Sequence, residues 1–226
     1  MTIPRPVPVL PAQGRRVAFI GKGGAGKSTL LAYLLAHWTS YGVPTVAIDT
    51  DTPGDKEHGT LYAHANAVDL GAPVHPAPAV RHIRREARRL CPEKGVCLLD
   101  TGAWQRSENG RHLAVVSAVD KVILCLQPTP NEVERARSVL GHLQKLQNTG
   151  MPVPELHIVL TMVGRSVAAD DLEGKLQARG HSVLRSRFLF SSAMNGPAHI
   201  FKRPIKPRTG TTTDDLAREI LNIVAR

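Results

Sequence analysis

The chain has 226 residues, 42% hydrophobic and 21% charged, a size that suits one α/β domain with a large core. No apolar run approaches the ~20 residues that a membrane-spanning helix needs. Residues 1–14 lack the apolar segment of a secretory signal and are interpreted as a flexible proline-rich tail.

The net charge of +10 indicates a polyanionic partner, with nucleic acid favoured over membrane. The three cysteines form no C-x-x-C pair, which favours free thiols and a cytoplasmic location.

Strands and helices alternate along the chain. The predicted strands cover 16–20, 44–49, 96–100, 121–127, 155–161 and 184–190, with a weaker candidate near 72–76. The predicted helices cover 27–40, 79–90, 109–118, 130–147, 168–179, 192–201 and 213–225. The strands around Cys97 and Cys125 are continuously apolar, which is typical of parallel strands buried on both faces. We therefore predict one α/β domain over 15–226, a mostly parallel twisted sheet with helices on both faces.

A glycine-rich stretch between the first predicted strand and helix carries the strongest functional motif. Gly21, Gly26, Lys27 and Ser28 satisfy the phosphate-loop pattern G-x-x-x-x-G-K-[ST]. In this context the helix N-terminus faces an anion, Lys27 reaches the β- and γ-phosphates, and Ser28 binds Mg²⁺. The residues expected to bind nucleotide are Gly21, Lys22, Gly23, Gly24, Ala25, Gly26, Lys27, Ser28 and Thr29.

Two later strands end in acidic residues. Asp49 and Asp51 follow the apolar residues Val46–Ile48, and Asp100 follows Val96–Leu99. Ligands of open α/β sheets collect at the carboxyl ends of the strands, so these acids are expected near the phosphate loop. An apolar strand that ends in aspartate is the Walker B arrangement, and Asp100 is expected to hold Mg²⁺ through water.

Together these motifs resemble the ParA/MinD family of deviant Walker A ATPases. Lys22, which an ordinary phosphate loop does not need, matches the family's lysine that crosses the dimer interface to the partner's nucleotide. The stretch 46–55 resembles switch I, which implies that Asp51 positions the attacking water and that Asp49 supports the Mg²⁺ shell. Thr101-Gly102 resembles the start of switch II, which implies a backbone N–H from Gly102 to the γ-phosphate. The stretch 156–162 resembles the strand whose end contacts adenine, which implies nucleotide contacts from Thr161 and Met162.

The resemblance is closest to the small, single-domain plasmid-type ParA partition proteins. It implies slow, Mg²⁺-dependent ATP hydrolysis by a homodimer with ATP sandwiched between its subunits. The ATP dimer would bind duplex DNA nonspecifically on the nucleoid, and a centromere-binding adaptor protein would stimulate hydrolysis and release. Two alternatives stay open, a membrane-positioning ATPase like MinD and a conjugation or cargo-positioning accessory ATPase of the same fold.

The membrane alternative needs an amphipathic C-terminal helix. In residues 213–226 an apolar face is present, but the helix begins with acidic residues and has no aromatic residue. Interfacial helices favour Lys, Arg and aromatic side chains. We therefore expect this face to pack into the core, and no membrane partner. The residues of the face are Leu216, Ile220, Ile223 and Val224.

Two basic clusters could meet DNA phosphates, one on the predicted helix 79–90 and one in the proline-broken segment before the last helix. On the helix, the arginines lie opposite the apolar residues, so a merely solvated face explains them equally well. The candidate DNA contacts are Arg81, Arg84, Arg85, Arg88, Lys202, Arg203 and Lys206.

Overall fold

Seven parallel strands form one sheet in the computed structural model, which describes residues 6–51, 60–76, 78–104, 109–148, 150, 153–164, 168–189 and 203–226. The strands are β1 Arg15–Ile20, β2 Thr45–Asp49, β3 Val74–His75, β4 Val96–Asp100, β5 Lys121–Leu126, β6 Glu155–Val163 and β7 Phe188–Leu189. Their order is β3-β2-β4-β1-β5-β6-β7. The sheet thus extends from β1 in both directions, which places a ligand crevice at the carboxyl end of β1.

Helices cover both faces of the sheet. They are α1 Lys27–Ser40, α2 Thr60–Ala67, α3 Ile83–Leu90, α4 Asn109–Val116, α5 Pro130–Asn148, α6 Ala168–Gln177 and α7 Thr212–Ala225, with a 3-10 turn Val80–His82 before α3. One core lies between the sheet and α1, α2 and α7, and a second lies between the sheet and α3 to α6. Along β1, Val17 and Phe19 enter the first core, while Ala18 and Ile20 enter the second. Burial on both faces explains why the central strands are continuously apolar.

The predicted fold class is confirmed, and most predicted elements agree with the structure within one or two residues. The predicted helix 79–90 is divided into the 3-10 turn and α3, and the predicted strand 184–190 is reduced to Phe188–Leu189. The sequence prediction missed α2 altogether. The predicted helix 192–201 lies outside the described residues.

The C-terminal helix packs against the helix that leaves the phosphate loop. Leu216, Ile220 and Val224 are fully buried, and the Trp38 indole N–H of α1 donates to the Ala217 carbonyl at 2.9 Å. The apolar face of α7 is therefore occupied by the core, as the acidic start of this helix led us to expect. In the part of the chain that the structure describes, no helix has the length and apolarity to cross a membrane.

The segment before β1 contributes to the core. Leu10 is only 5% exposed and joins the core beneath α1 and α7, whereas Val9 is 87% exposed. The Gly14 N–H donates to the Pro11 carbonyl at 2.9 Å and closes a turn into β1. Leu10 thus contacts the core, and the flexibility of residues 1–14 stays a prediction. The domain boundary at residue 15 stays a prediction.

Candidate nucleotide-binding site

The backbone of the phosphate loop requires glycine at two positions, Gly21 at its start and Gly26 directly before α1. Gly21 has φ of 145°, and a Cβ there would lie 2.6 Å from the Cys125 carbonyl oxygen of β5. Gly26 has φ of 79° and precedes α1 without a side chain that caps the helix. Gly26 therefore offers no side chain to the first N–H groups of α1, which follow the loop at the carboxyl end of β1. This arrangement can bind an anion at a helix N-terminus.

Neighbouring strand ends hold three carbonyl groups of the loop in place. The donors are the Trp104 backbone N–H to Gly21 at 3.0 Å, the Gln127 side-chain amide to Gly24 at 2.8 Å, and the Thr161 hydroxyl to Ala25 at 2.7 Å. Trp104 follows β4, Gln127 follows β5, and Thr161 lies in β6. The sheet therefore sets the shape of the loop before any ligand binds, which lowers the ordering cost of binding.

The two lysines of the loop have different environments. Lys27 is 5% exposed, and its ammonium donates to the carbonyls of Lys22 at 2.9 Å and Gly21 at 3.3 Å. A phosphate would offer this ammonium charged oxygens, which form stronger hydrogen bonds than neutral carbonyls. The Lys22 side chain is exposed at the surface of the loop. Lys27 is therefore placed to meet phosphates within the subunit, whereas Lys22 can reach a molecule outside it.

Asp49 and Asp100 are direct neighbours at the ends of paired strands. The Asp49 carboxylate accepts backbone N–H groups from Asp51 at 3.0 Å and Tyr62 at 2.8 Å. Burial nevertheless raises the pKa of Asp49. Asp100 is 0% exposed, and neither of its carboxylate oxygens has a hydrogen-bond partner of normal geometry among the described residues.

Burial and the charge of Asp49 raise the pKa of Asp100, although Lys27 and Ser28 lie near enough to oppose this shift. A buried carboxylate without a hydrogen-bond partner is costly, and a bound cation would compensate it. Among the described residues, no three His, Cys, Asp or Glu side chains group in a way that could hold a metal. Mg²⁺ is usually bound by one or two carboxylates together with phosphates and water. Ser28 and Asp100 would hold the ion, with Asp49 beside them.

Asp51 lies against the segment that follows β4. A Cβ on Gly102 would collide with the Asp51 carboxylate, so glycine permits this approach. A Cβ on Gly23 of the loop would lie 3.3 Å from the Cβ of Ala103. The structure thus brings together the loop, Asp51 and Gly102, which are separated in sequence. Their roles in hydrolysis stay predictions.

Thr161 and Met162 both contact the phosphate loop itself. The Thr161 side chain is fully buried, and its hydroxyl is used to hold Ala25. Met162 has φ of 54° at an irregularity in the pairing of β6 with β7. Its sulfur would lie 3.3 Å from a Cβ on Gly26. The predicted contact of these two residues with adenine stays a prediction.

The arginines of α3 differ in how far they are already engaged. The Arg84 guanidinium donates to the Ser117 carbonyl after α4 at 3.1 and 2.7 Å. Arg85 pairs with Glu86 at 3.2 Å. Arg88 is exposed and makes no ion pair with another residue of the described ranges. Arg88 is therefore the arginine of α3 most available to a DNA phosphate.

The remaining basic candidates are scattered. Arg81 lies in the 3-10 turn and donates to the His82 imidazole at 3.1 Å. Arg203 and Lys206 are exposed in the segment before α7. Lys202 lies outside the described residues, so the second cluster is described only in part.

Sequence reasoning missed three residues that shape the site, Trp104, Gln127 and Tyr62. Trp104 and Gln127 hold carbonyls of the loop, and the Tyr62 N–H holds Asp49. Gln127 directly follows the apolar strand β5, and a polar residue at that position could have been recognised as a site candidate. Trp104 and Tyr62 act through backbone N–H groups, which the sequence does not distinguish.

No protein-family model and no curated protein matches the chain. Solved structures do match it. The cell division ATPase MinD of Pyrococcus furiosus is 18% identical, with a TM-score of 0.69 over 93% of this chain and 99% of that one. A ParA family ATPase of Chlorobium tepidum is 17% identical, with a TM-score of 0.63 over 90% of this chain and 97% of that one.

A third similar structure is that of an enzyme that is named neither ParA nor MinD. Cobyrinic acid a,c-diamide synthase of Mycobacterium smegmatis, with a bound ATP analogue and magnesium, is 18% identical. Its TM-score is 0.67 over 92% of this chain and 93% of that one. The TM-scores establish the fold, whereas identities this low leave the activity to be argued from the site. The predicted resemblance is thus confirmed at the level of architecture, and the chain has the P-loop fold of the ParA/MinD ATPases.

Proposed function

We propose that the chain is an Mg²⁺-dependent ATP hydrolase that dimerises around ATP and acts in DNA partitioning. The observation that carries the proposal is the convergence of five charged side chains at the carboxyl ends of β1, β2 and β4. Two are lysines of one phosphate loop, two are carboxylates that end the paired strands β2 and β4, and one is a carboxylate two residues after β2. Binding, charge neutralisation and placement of water are what phosphoryl transfer requires of a protein. The five residues are Lys22, Lys27, Asp49, Asp51 and Asp100.

Each residue has a part that its position supports. Lys27 turns from the loop carbonyls to the β- and γ-phosphates, while Gly102 donates its N–H to the γ-phosphate. Ser28 and Asp100 would hold Mg²⁺, which would supply positive charge against the phosphates. The Asp51 carboxylate, held over Gly102, orients the attacking water. A cation at this position would compensate the buried charge of Asp100, so metal binding and folding of the site would favour each other.

Dimerisation assigns a role to the second lysine. Lys22 is exposed, whereas Lys27 is buried in the same loop. An exposed lysine beside a γ-phosphate could meet the nucleotide of a partner subunit, and ATP would then be sandwiched in a homodimer. The proposed turnover is slow until a partner, here a centromere-binding adaptor protein, stimulates it.

The positive charge of the chain supports DNA as the surface to which the dimer binds. The net charge is +10, and Arg88 of α3 is exposed without an ion pair among the described residues. Two such surfaces joined in one dimer bind more tightly than either alone. The MinD-like alternative is less well supported, since the apolar face of α7 is buried in the core. A role in positioning another cargo rests on the same site and differs only in the partner.

Light scattering with ATP–Mg²⁺ tests the proposal. The mass of the wild-type protein should double when ATP is added, whereas Lys22→Ala should bind ATP and stay monomeric. Lys145→Ala, which removes an exposed lysine from α5, is the matched control and should dimerise normally. A normal ATP dimer of Lys22→Ala with normal turnover would reduce the loop to an ordinary phosphate loop.

A further inference from the structure

Two aromatic rings stack beside the phosphate loop, and no role proposed so far uses them. The Trp104 indole lies over the His112 imidazole of α4, with ring centroids 4.5 Å apart and planes 17° from parallel. His112 is only 1% exposed. A large side chain stacked on a buried ring has few other orientations. The stack therefore fixes the chain at residue 104 relative to α4.

The three residues that end at this stack each contact a different part of the site. Gly102 lies under the Asp51 carboxylate, and Ala103 opposes Gly23 of the phosphate loop. The Trp104 N–H donates to the Gly21 carbonyl at 3.0 Å. Segment 102–104 thus connects Asp51 to the loop, and its far end is held by the stack.

The Gly21 carbonyl has two donors in this structure. One is the Trp104 N–H, and the other is the Lys27 ammonium at 3.3 Å. When Lys27 turns to a phosphate, the Trp104 N–H stays as the donor that holds this end of the loop. The position of segment 102–104 then depends more heavily on the Trp104 side chain.

We propose that Trp104 is a positioning residue for hydrolysis, whose stack on His112 holds segment 102–104 so that Asp51 stays over Gly102. The inference rests on the proposed ATPase function. It separates two steps of that function, because the Trp104 side chain stacks on His112, whereas the contact of this residue with the phosphate loop comes from its backbone N–H, which every variant keeps. ATP binding should therefore tolerate loss of the stack, whereas placement of the water should not.

The experiment compares Trp104→Ala, Trp104→Phe and His112→Ala by calorimetry of ATP–Mg²⁺ binding and by single-turnover hydrolysis. Trp104→Ala and His112→Ala should bind ATP within about threefold of wild type. Their hydrolysis rate constants should fall about tenfold or more, since small misplacements of reacting groups have large effects on rate. Trp104→Phe keeps a ring on His112 and should restore most of the rate, which a general loss of packing volume does not predict.

Wild-type turnover in Trp104→Ala would overturn the inference and leave the proposed ATPase intact. Loss of ATP binding in Trp104→Ala would also overturn it, because Trp104 would then shape the loop rather than the hydrolytic step. Equal defects in Trp104→Phe and Trp104→Ala would show that stacking is not what matters. A wild-type protein that neither binds nor hydrolyses ATP would overturn the proposed function and this inference together.

Discussion

Asp100→Asn should stabilise the nucleotide-free protein while abolishing Mg²⁺-dependent hydrolysis. The buried Asp100 carboxylate has no hydrogen-bond partner of normal geometry among the described residues and adjoins the charge of Asp49. Substitution by the neutral amide keeps the shape and removes the charge. Asp49→Asn is the matched control, since the Asp49 carboxylate accepts N–H groups from Asp51 and Tyr62 that a single amide oxygen cannot both accept.

The size of the effect follows from the pKa. Burial and the charge of Asp49 raise the pKa of Asp100 from 3.8 to about 7. At 1.36 kcal/mol per pH unit, ionised Asp100 lowers the free energy of unfolding at pH 8 by about 4 kcal/mol at most. Among the described residues, the buried amide would have few partners besides Ser28, which costs about 1–3 kcal/mol. A net gain of about 2 kcal/mol corresponds to about 4–8 °C in Tm for a chain of this length.

Thermal unfolding at pH 8 without nucleotide measures the difference. Asp100→Asn should melt above wild type, and Asp49→Asn should melt at or below it. The advantage of Asp100→Asn should shrink as the pH falls from 8 towards 5. In that range wild-type Asp100 takes up a proton in the folded state, whereas the unfolded chain stays ionised down to about pH 4. Equal shifts for both variants, or no pH dependence, would refute the reasoning.

Three further predictions concern the loop, the water and DNA. Thr161→Val removes the hydroxyl that donates to the Ala25 carbonyl. Calorimetry should show weaker ATP binding, and the free energy of unfolding should fall by about 1 kcal/mol. Unchanged ATP binding would contradict this role of Thr161. Asp51→Ala should retain ATP and accumulate the dimer in light scattering, and a dimer that dissociates as fast as wild type would argue against it. Arg88→Ala should weaken DNA binding of the ATP form equally for all sequences and reduce the salt slope by about 0.9 per lost contact. Arg179→Ala, an exposed arginine after α6, is the control, and an equal effect there would count against a defined patch.

The parts of the site that could be predicted are local in sequence. The glycines and lysines of the loop lie within nine residues, and the acids lie at the ends of apolar strands or just after them, so pattern and spacing identify them. Contacts between distant segments could not be predicted. Thr161 and Ala25 are 136 positions apart, and the Trp104–His112 stack depends on how α4 packs. The hydrogen bond from the Thr161 hydroxyl to the loop is therefore visible only in the structure, and the adenine contact stays a prediction.

The local sequence explains why two structural features, α2 and the buried Leu10, could not be predicted. Helix α2 buries Leu61 and His64 and otherwise consists of Tyr62, alanines and polar residues, so it lacks a clear helical period. Leu10 follows two exposed valines in a proline-rich stretch, and nothing in that composition shows which apolar residue is buried. Both are stabilised by tertiary packing against the core under α1, which local propensity does not report.

The central claim is that the loop at Gly21–Thr29 binds ATP–Mg²⁺ through Lys27. Isothermal titration of wild type and Lys27→Ala tests it most directly, with Lys145→Ala as a control for the loss of one positive charge. The account predicts saturable ATP binding by wild type and by Lys145→Ala, and no measurable binding by Lys27→Ala. Affinity of Lys27→Ala within about threefold of wild type, a difference of about 0.65 kcal/mol, would contradict it.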